Sequence, residues 1–396
     1  MATHSFEQID ISGLINAEFP TSAEIVVIGS GIVGLSTAYY LARRGCRNVV
    51  VLEATEFLGG ITTNQCGGGI RSQFTSSINI QLSLLSDRLR KDLESEADIP
   101  LRLQKTGYVF MASSREYVAR LQAALPLLHA AGIGAQWLEK DDLAEMLPMM
   151  ELHGVSGGSY HSEDGRLDVH AVVNSYKILL TRLNVQQYTE AEVVQLMVTN
   201  GRVQKVVTSR GEITTHVVIN AAGPWAGKIC RMVDYKLPVT TFAHQYCVTS
   251  PLDQFRSDQP TVIFQDDGIG FRHKDNSVVF GATRPRPFRH SGPPPIDKTF
   301  DKKIYKLASK RLPSLQSITI LESLVGLYEI TPDEHSIVGP LPGTEGFFCA
   351  AGFNGHGFMH APATGYLLSE LVLDGRSNTL DTQLLSIQRF MEHTAL

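Results

Sequence analysis

Three glycine-rich runs and one arginine carry most of the chemistry legible in this 396-residue chain. The first run is Gly29-Ser30-Gly31-Ile32-Val33-Gly34, with Glu53 and Ala54 downstream of it. Glycines at those spacings allow a tight turn, let a pyrophosphate approach the backbone, and let the next helix pack closely on its strand. The helix start then offers unpaired N–H groups and a partial positive charge to phosphate oxygens. Glu53 falls about 20 residues after the glycines, where a carboxylate accepts from a ribose 2′-hydroxyl and repels a 2′-phosphate. These residues predict a dinucleotide site; the alternative is a tight strand-to-helix turn with no ligand.

The second run is Cys66-Gly67-Gly68-Gly69-Ile70-Arg71 and the third is Gly352-Phe353-Asn354-Gly355-His356-Gly357, with Met359 just beyond. A further small-residue turn is Ala221-Ala222-Gly223-Pro224-Trp225, which is either a plain strand end or a cofactor contact. Small residues let backbone lie against a flat ring, which a bulky isoalloxazine needs more than a nicotinamide does. Gly132-Ile133-Gly134 and Gly268-Ile269-Gly270 lack a third glycine, so a second nucleotide has no obvious site. The expected cofactor is FAD. A carboxylate substrate calls for an Arg or Lys with a hydrogen-bonding partner. Arg71, closing a glycine run beside the ring, is the first choice; a salt bridge or a flavin-side role is the alternative. Tyr328, Tyr246, His244 and Arg284 are weaker candidates, with Tyr328 favoured by the Thr331-Pro332-Asp333 that follows it. His356 either reaches the ring edge or satisfies its own turn. Pro362 suits the first turn of a helix, whose N–H groups and dipole would stabilise charge on a reduced ring without a cation.

The elements that must hold these residues follow from pattern. Residues 25–42 carry no charge, a length at which a membrane helix is considered. The β-branched start, the clustered glycines and Ser36, Thr37, Tyr39 and Tyr40 instead predict a strand over 24–28, a turn, and a helix to about 44. A second strand is predicted over 48–52. Helices are predicted over 78–97, 115–131, 168–183 and 300–311, and strands over 101–112, with a turn near Gly107, and around Gln136. A meander is predicted over 192–198, 202–209 and 213–220, and an antiparallel sheet over 237–283. A proline-rich linker follows, from Pro285 to Pro295.

Charged residues make up 19% of the chain, hydrophobic residues 43%, and the net charge is −5 with the basic residues scattered. That excludes wholesale disorder and the footprint of a nucleic-acid binder. Five cysteines, an odd number with no C-x-x-C pair and no zinc spacing, fit a reducing compartment and argue against a structural metal. Residues 1–22 read as a short arm rather than a secretory signal, since Glu7, Asp10 and Glu18 occur there without any Lys or Arg before position 20. A cytoplasmic location is expected.

The fingerprint with Glu53, the run ending Arg71-Ser72-Gln73-Phe74, the turn Asn220 to Trp225, and Tyr328 to Asp333 followed by Gly352 to Met359 together resemble the D-amino-acid oxidase superfamily. Within it the chain looks like sarcosine oxidase β subunits, dimethylglycine dehydrogenases and L-proline dehydrogenase β subunits. The resemblance implies an α/β fold of two domains: a Rossmann-like FAD-binding domain (23–98, 150–228 and 322–390) interleaved with an antiparallel-sheet substrate domain (99–149 and 229–321). It implies oxidation of the C–N bond of a secondary or primary amino acid to an imine, with hydride passing to flavin N5. It implies a backbone contact to adenine from Val193 or Val194. The catalytic residues expected are Arg71, Tyr328 and His356. Gly326 stands where monomeric sarcosine oxidases attach FAD through cysteine, so noncovalent FAD is expected. Met359, and Val279 at a position associated with oxygen activation, replace lysines of those relatives, which leaves oxygen, a quinone or a partner subunit open as the electron acceptor. The partners expected are a small amine or amino acid and that acceptor, with no nucleic acid and no membrane span, and with room for a partner subunit or homo-oligomer. The alternatives are an aromatic hydroxylase reduced by NAD(P)H and a non-catalytic flavin subunit of an electron-transfer complex.

Overall fold

The computed structural model describes residues 18–289 and 292–391, so residues 1–17 of the expected arm lie outside them. The strand Ile25–Ile28 is buried along its whole length. It runs parallel between Val49–Leu52 and Val218–Asn220, as a β-branched run covered on both faces should. Gln186–Tyr188 and Phe347–Ala351 extend the sheet in parallel, and Ile337–Pro340 closes it antiparallel, giving six strands. Side chains alternate across it. Ile25, Val27, Val49 and Val51 pack with the helices Ile32–Arg43, Ser77–Ala97, Val169–Arg182 and Gly357–Leu373. Val26, Ile28, Val50 and Leu52 pack on the opposite face with the strands Val193–Thr199, Arg202–Thr208 and Gly211–Thr214.

A second sheet of eight strands runs in the order Ile320–Ile330, Thr240–Pro251, Ser277–Pro287, Ile269–Lys274, Thr261–Phe264, Tyr108–Ala112, Gly157–His161, Gln136–Glu139. One face, with Val109, Val262, Phe271, Phe280 and Cys247, packs against Leu143, Ile304 and Ala308. The other face carries Tyr108, Ile263, Arg272, Gly281, Tyr246 and Tyr328 and roofs a cavity.

Several expected elements differ. The split of residues 25–42 is observed, as strand Ile25–Ile28 and helix Ile32–Arg43. The strand expected over 101–112 is only Tyr108–Ala112, because Arg102 and Gly107 both turn the chain at positive φ and Gln104 makes an isolated bridge to Arg166. The third meander strand divides at Thr215, whose Oγ1 accepts from Val217 N at 3.3 Å. Gly211–Thr214 stays in the small sheet while Val218–Asn220 enters the parallel one. Thr261–Phe264 pairs parallel to Tyr108–Ala112 inside an otherwise antiparallel region. The strand Ser277–Pro287 runs into the expected linker. Gly157–His161, and Ile320–Ile330 almost in full, fall within ranges expected for the nucleotide domain, yet both pair into the eight-stranded sheet. The chain therefore crosses between layers more often than composition reveals.

Candidate active site

A cavity of about 950 Å³ runs between the two sheets, at the upper end of the volumes usual for ligand sites, roughly 300–1,000 Å³. Gly29, Gly31, Ile32, Val33, Glu53 and Ala54 line one end. Gly29 has φ +100°, and a Cβ there would lie 2.6 Å from the Ala221 carbonyl oxygen. Gly34 is outside the cavity, where a Cβ would strike the Gly29 carbonyl, so its absence allows close helix–strand packing. Ser30 is buried and donates from N and Oγ to Glu53 Oε2 at 3.1 and 2.7 Å, while Thr55 N and Oγ1 donate to Oε1 at 2.9 Å each. These four bonds fill the acceptor sites of the carboxylate. A ribose hydroxyl would have to take the place of the Thr55 hydroxyl, which has Phe57 O as another acceptor at 3.2 Å. Ile32 N donates to Thr63 Oγ1 at 3.1 Å, so Thr63 holds the turn in a way the spacing does not reveal. Val193 lines this end, whereas Val194, 52% exposed, faces solvent, because adjacent strand residues point to opposite faces.

Ala222, Gly223 and Trp225 line the middle. Gly352 lies behind it, where a Cβ would strike Thr331, and its N–H donates to Glu329 Oε2 at 2.9 Å. Burial raises the Glu329 carboxyl to about 7 against an ordinary 4.5. Folding therefore takes up a proton between those values, and stability falls as pH rises across that window before levelling off above it. At about 1.4 kcal/mol per pH unit, the native protein loses on the order of 3 kcal/mol between pH 4.5 and 7 from this group. Glu329→Gln removes that component, so its urea midpoint at pH 8 moves closer to its midpoint at pH 5 than in the unaltered protein; equal pH slopes would show that Glu329 ionises normally.

At the ring end, Cys66, Gly67 and Gly69 line the cavity, while Gly68 packs behind it against Leu167 and Ile70 borders a separate hollow of about 60 Å³. Asn354, Gly355, His356, Gly357 and Met359 form the opposite wall. Gly355 has φ +81°, and a Cβ there would lie 2.9 Å from the Tyr328 ring. His356 is the N-terminal flank of the helix Gly357–Leu373, so Pro362 sits in the helix interior and not in its first turn. The glycines around His356 start the helix earlier than the proline signal suggests.

Arg71 joins this wall to the roof. Its Nη2 donates to His356 Nε2 at 3.0 Å, its Nη1 donates to Gln73 O, and its guanidinium lies 3.8 Å from the Phe74 ring centroid. Burial lowers Arg71 to about 10, opposed by the charge of Asp164, so it is cationic at neutral pH. Burial first, then the Arg71 charge, push His356 well below its ordinary range. The neutral ring accepts at Nε2 and therefore carries its proton on Nδ1. On the roof the Tyr246 and Tyr328 hydroxyls are 3.2 Å apart, and His244 stacks on Tyr328 at 4.5 Å and pairs with Thr283 Oγ1 at 2.8 Å. Burial raises Tyr328 to about 12 and lowers His244 to about 3. The roof thus presents phenols and a neutral imidazole. Arg284 does not line the cavity; it donates to Gln245 and to Pro295 O. Arg272 does line it and escapes the sequence reading, although Gly270 and Arg272 alternate with buried Ile269, Phe271 and His273, the signal of a strand with one functional face.

These residues fit a flavin dinucleotide: a glycine cradle that a Cβ would fill, a carboxylate at the ribose position, and small-residue backbone at the ring end. Among the described residues no helix is long and apolar enough to cross a membrane. A sequence profile described as "DAO: FAD dependent oxidoreductase" matches residues 24–371. Chains similar to this one include a pyruvate dehydrogenase phosphatase regulatory subunit of Mus musculus, 27% identical over 94% of this chain and 43% of that protein. Dimethylglycine dehydrogenase of Rattus norvegicus is 26% identical over 90% of this chain and 44% of its own length. The chain thus spans less than half of those two relatives. The crystal structure of L-proline dehydrogenase from P. horikoshii superposes with a TM-score of 0.85 at 28% identity, covering 95% of this chain and 99% of that one.

Proposed function

This chain belongs to the DAO family of FAD-dependent oxidoreductases, and on that basis we propose that it dehydrogenates an amino acid at the carbon beside its nitrogen, holding FAD noncovalently. The observation that carries the reading is a half-buried, charged Arg71 locked to a neutral His356 in the wall of the cavity, opposite a roof of paired phenols. FAD, when bound, supplies the acceptor for a hydride. Arg71 offers its remaining N–H groups to the substrate carboxylate and fixes the orientation of the amine. The substrate C–H bond breaks with its electron pair, the nitrogen lone pair closes the C=N bond, and water later hydrolyses the imine. Neutral His244, whose Nε2 makes no hydrogen bond among the described residues, is placed to accept one from the amine. The Gly357–Leu373 helix directs its N-terminal partial charge at the wall. The eight-stranded sheet covers one side of the cavity. Similarity to dimethylglycine dehydrogenase and L-proline dehydrogenase supports an N-substituted amino acid, tertiary in the first case and secondary in the second.

The purified protein is expected to show a flavin spectrum that bleaches anaerobically with sarcosine, dimethylglycine or proline. Bleaching by NADPH alone would favour a hydroxylase, and no bleaching by any amino acid would remove the substrate reading. Assaying the same panel with oxygen and with an artificial dye separates an oxidase from a dehydrogenase.

A further inference from the structure

The roof strand Ile269–Lys274 places a second guanidinium in the cavity. A Cβ on Gly67 would lie 3.1 Å from Arg272 Nε, so the side chain lies along the floor of the glycine run that also ends in Arg71. Arg71 and Arg272 line the same cavity, together with Tyr108 and Tyr328. Their surroundings differ. Arg71 has Asp164, His356 and Gln73 around it. Arg272 makes no hydrogen bond and no ion pair among the described residues, and it faces the like charge of Arg166, whose guanidinium it depresses after burial does so. The carboxylates that line the cavity are engaged elsewhere: Glu53 with Ser30 and Thr55, Glu192 with Lys228, and Glu329 with Gly352 N. A half-buried cation without a partner is costly unless an anion arrives. A free guanidinium fork matches a carboxylate in bidentate geometry.

We propose that Arg272 forms a second anion subsite, so that the substrate is an amino acid bearing two carboxylates, one held by Arg71 and the other, on the nitrogen substituent or the side chain, held by Arg272. This rests on the reading of the site as an amino-acid dehydrogenase, and the bond changes are those given above. Arg272 then sets specificity by favouring dicarboxylates over monocarboxylates such as sarcosine or proline, which bind more weakly because they leave its charge unpaired.

The test uses the flavin-loaded full chain and reads perturbation of flavin absorbance by carboxylates that cannot be oxidised, so binding is measured without turnover. Succinate and glutarate are expected to bind at least 20-fold more tightly than propionate and butyrate. Arg272→Met should close that gap to within threefold and Arg272→Lys should keep part of it, while Arg71→Met weakens both ligand classes. Flavin content and melting temperature check that each variant is folded, and if the methionine variant does not fold, the lysine variant decides: a preference as large as in the unaltered protein counts against the subsite. Equal binding of mono- and dicarboxylates by the unaltered protein overturns the proposal, as does a full preference kept by Arg272→Met. Anaerobic mixing with sarcosine and with iminodiacetate addresses the underlying reading separately: if neither these nor any other amino acid reduces the flavin, the dehydrogenase reading fails, whereas the titrations still decide the role of Arg272.

Discussion

Gly29→Val will purify without flavin. The residue sits at φ +100°, a conformation β-branched side chains scarcely adopt. The first atom of any side chain would also lie 2.6 Å from the Ala221 carbonyl oxygen and 3.0 Å from Ala222 Cα, both backbone. Neither neighbour can move freely, because Ala221 continues the strand Val218–Asn220 and its N–H is tied to Ile28 O at 2.9 Å. The loop must open, and with it the N–H groups aimed at the phosphates. A loss of at least 100-fold in FAD affinity, about 2.7 kcal/mol, is expected from fluorescence titration of the flavin-free protein. Flavin retained at full occupancy would show that the pyrophosphate lies elsewhere. Gly45, also at positive φ with nothing within 4 Å of a Cβ, is the control: Gly45→Ala should keep its flavin.

Arg71→Ala should retain flavin and lose substrate. Truncating one partner of a buried, hydrogen-bonded charge pair costs about 2–5 kcal/mol, so KM or the substrate dissociation constant should rise on the order of 100-fold. The cavity wall itself survives, since Phe74 is packed by Ile80 and Leu128 in its own cluster. Arg71→Lys should recover part of the loss, because an ammonium supplies charge without the fork that serves His356 and a carboxylate together. No kinetic effect from either change would remove Arg71 from the site and favour a flavin subunit whose pocket no longer binds substrate.

The nucleotide end is legible in the residue order because its chemistry is local. Gly29, Gly31 and Glu53 lie in one βαβ unit, where strand, turn and helix follow each other within the chain and spacing alone puts the glycines at the helix start. Gly68 and Gly352 read as contacts and prove to be supports, because a sequence shows that a side chain is missing but not which neighbour would have met it. Val193 and Val194 separate only once the strand acquires a face. Pro362 points to the wrong turn of its helix because a proline marks a permitted helix position without showing how much helix precedes it.

Residue order is enough to point to a dinucleotide site at Gly29 to Gly34, to two distant glycine runs suited to flank a flat ring, and to Arg71 as the cation beside them. Those conclusions need only backbone geometry over short spans and the sign of a charge. It takes the folded chain to show that Arg71 meets His356 across 285 positions, that Tyr246 and Tyr328 pair on adjacent strands, and that Arg272 makes no hydrogen bond or ion pair among the described residues. The first depends on a loop and a helix start being brought together by the packing of distant elements; the other two depend on strand register and on which face of a sheet is covered, and a shift of one residue in pairing would turn those side chains away from the cavity.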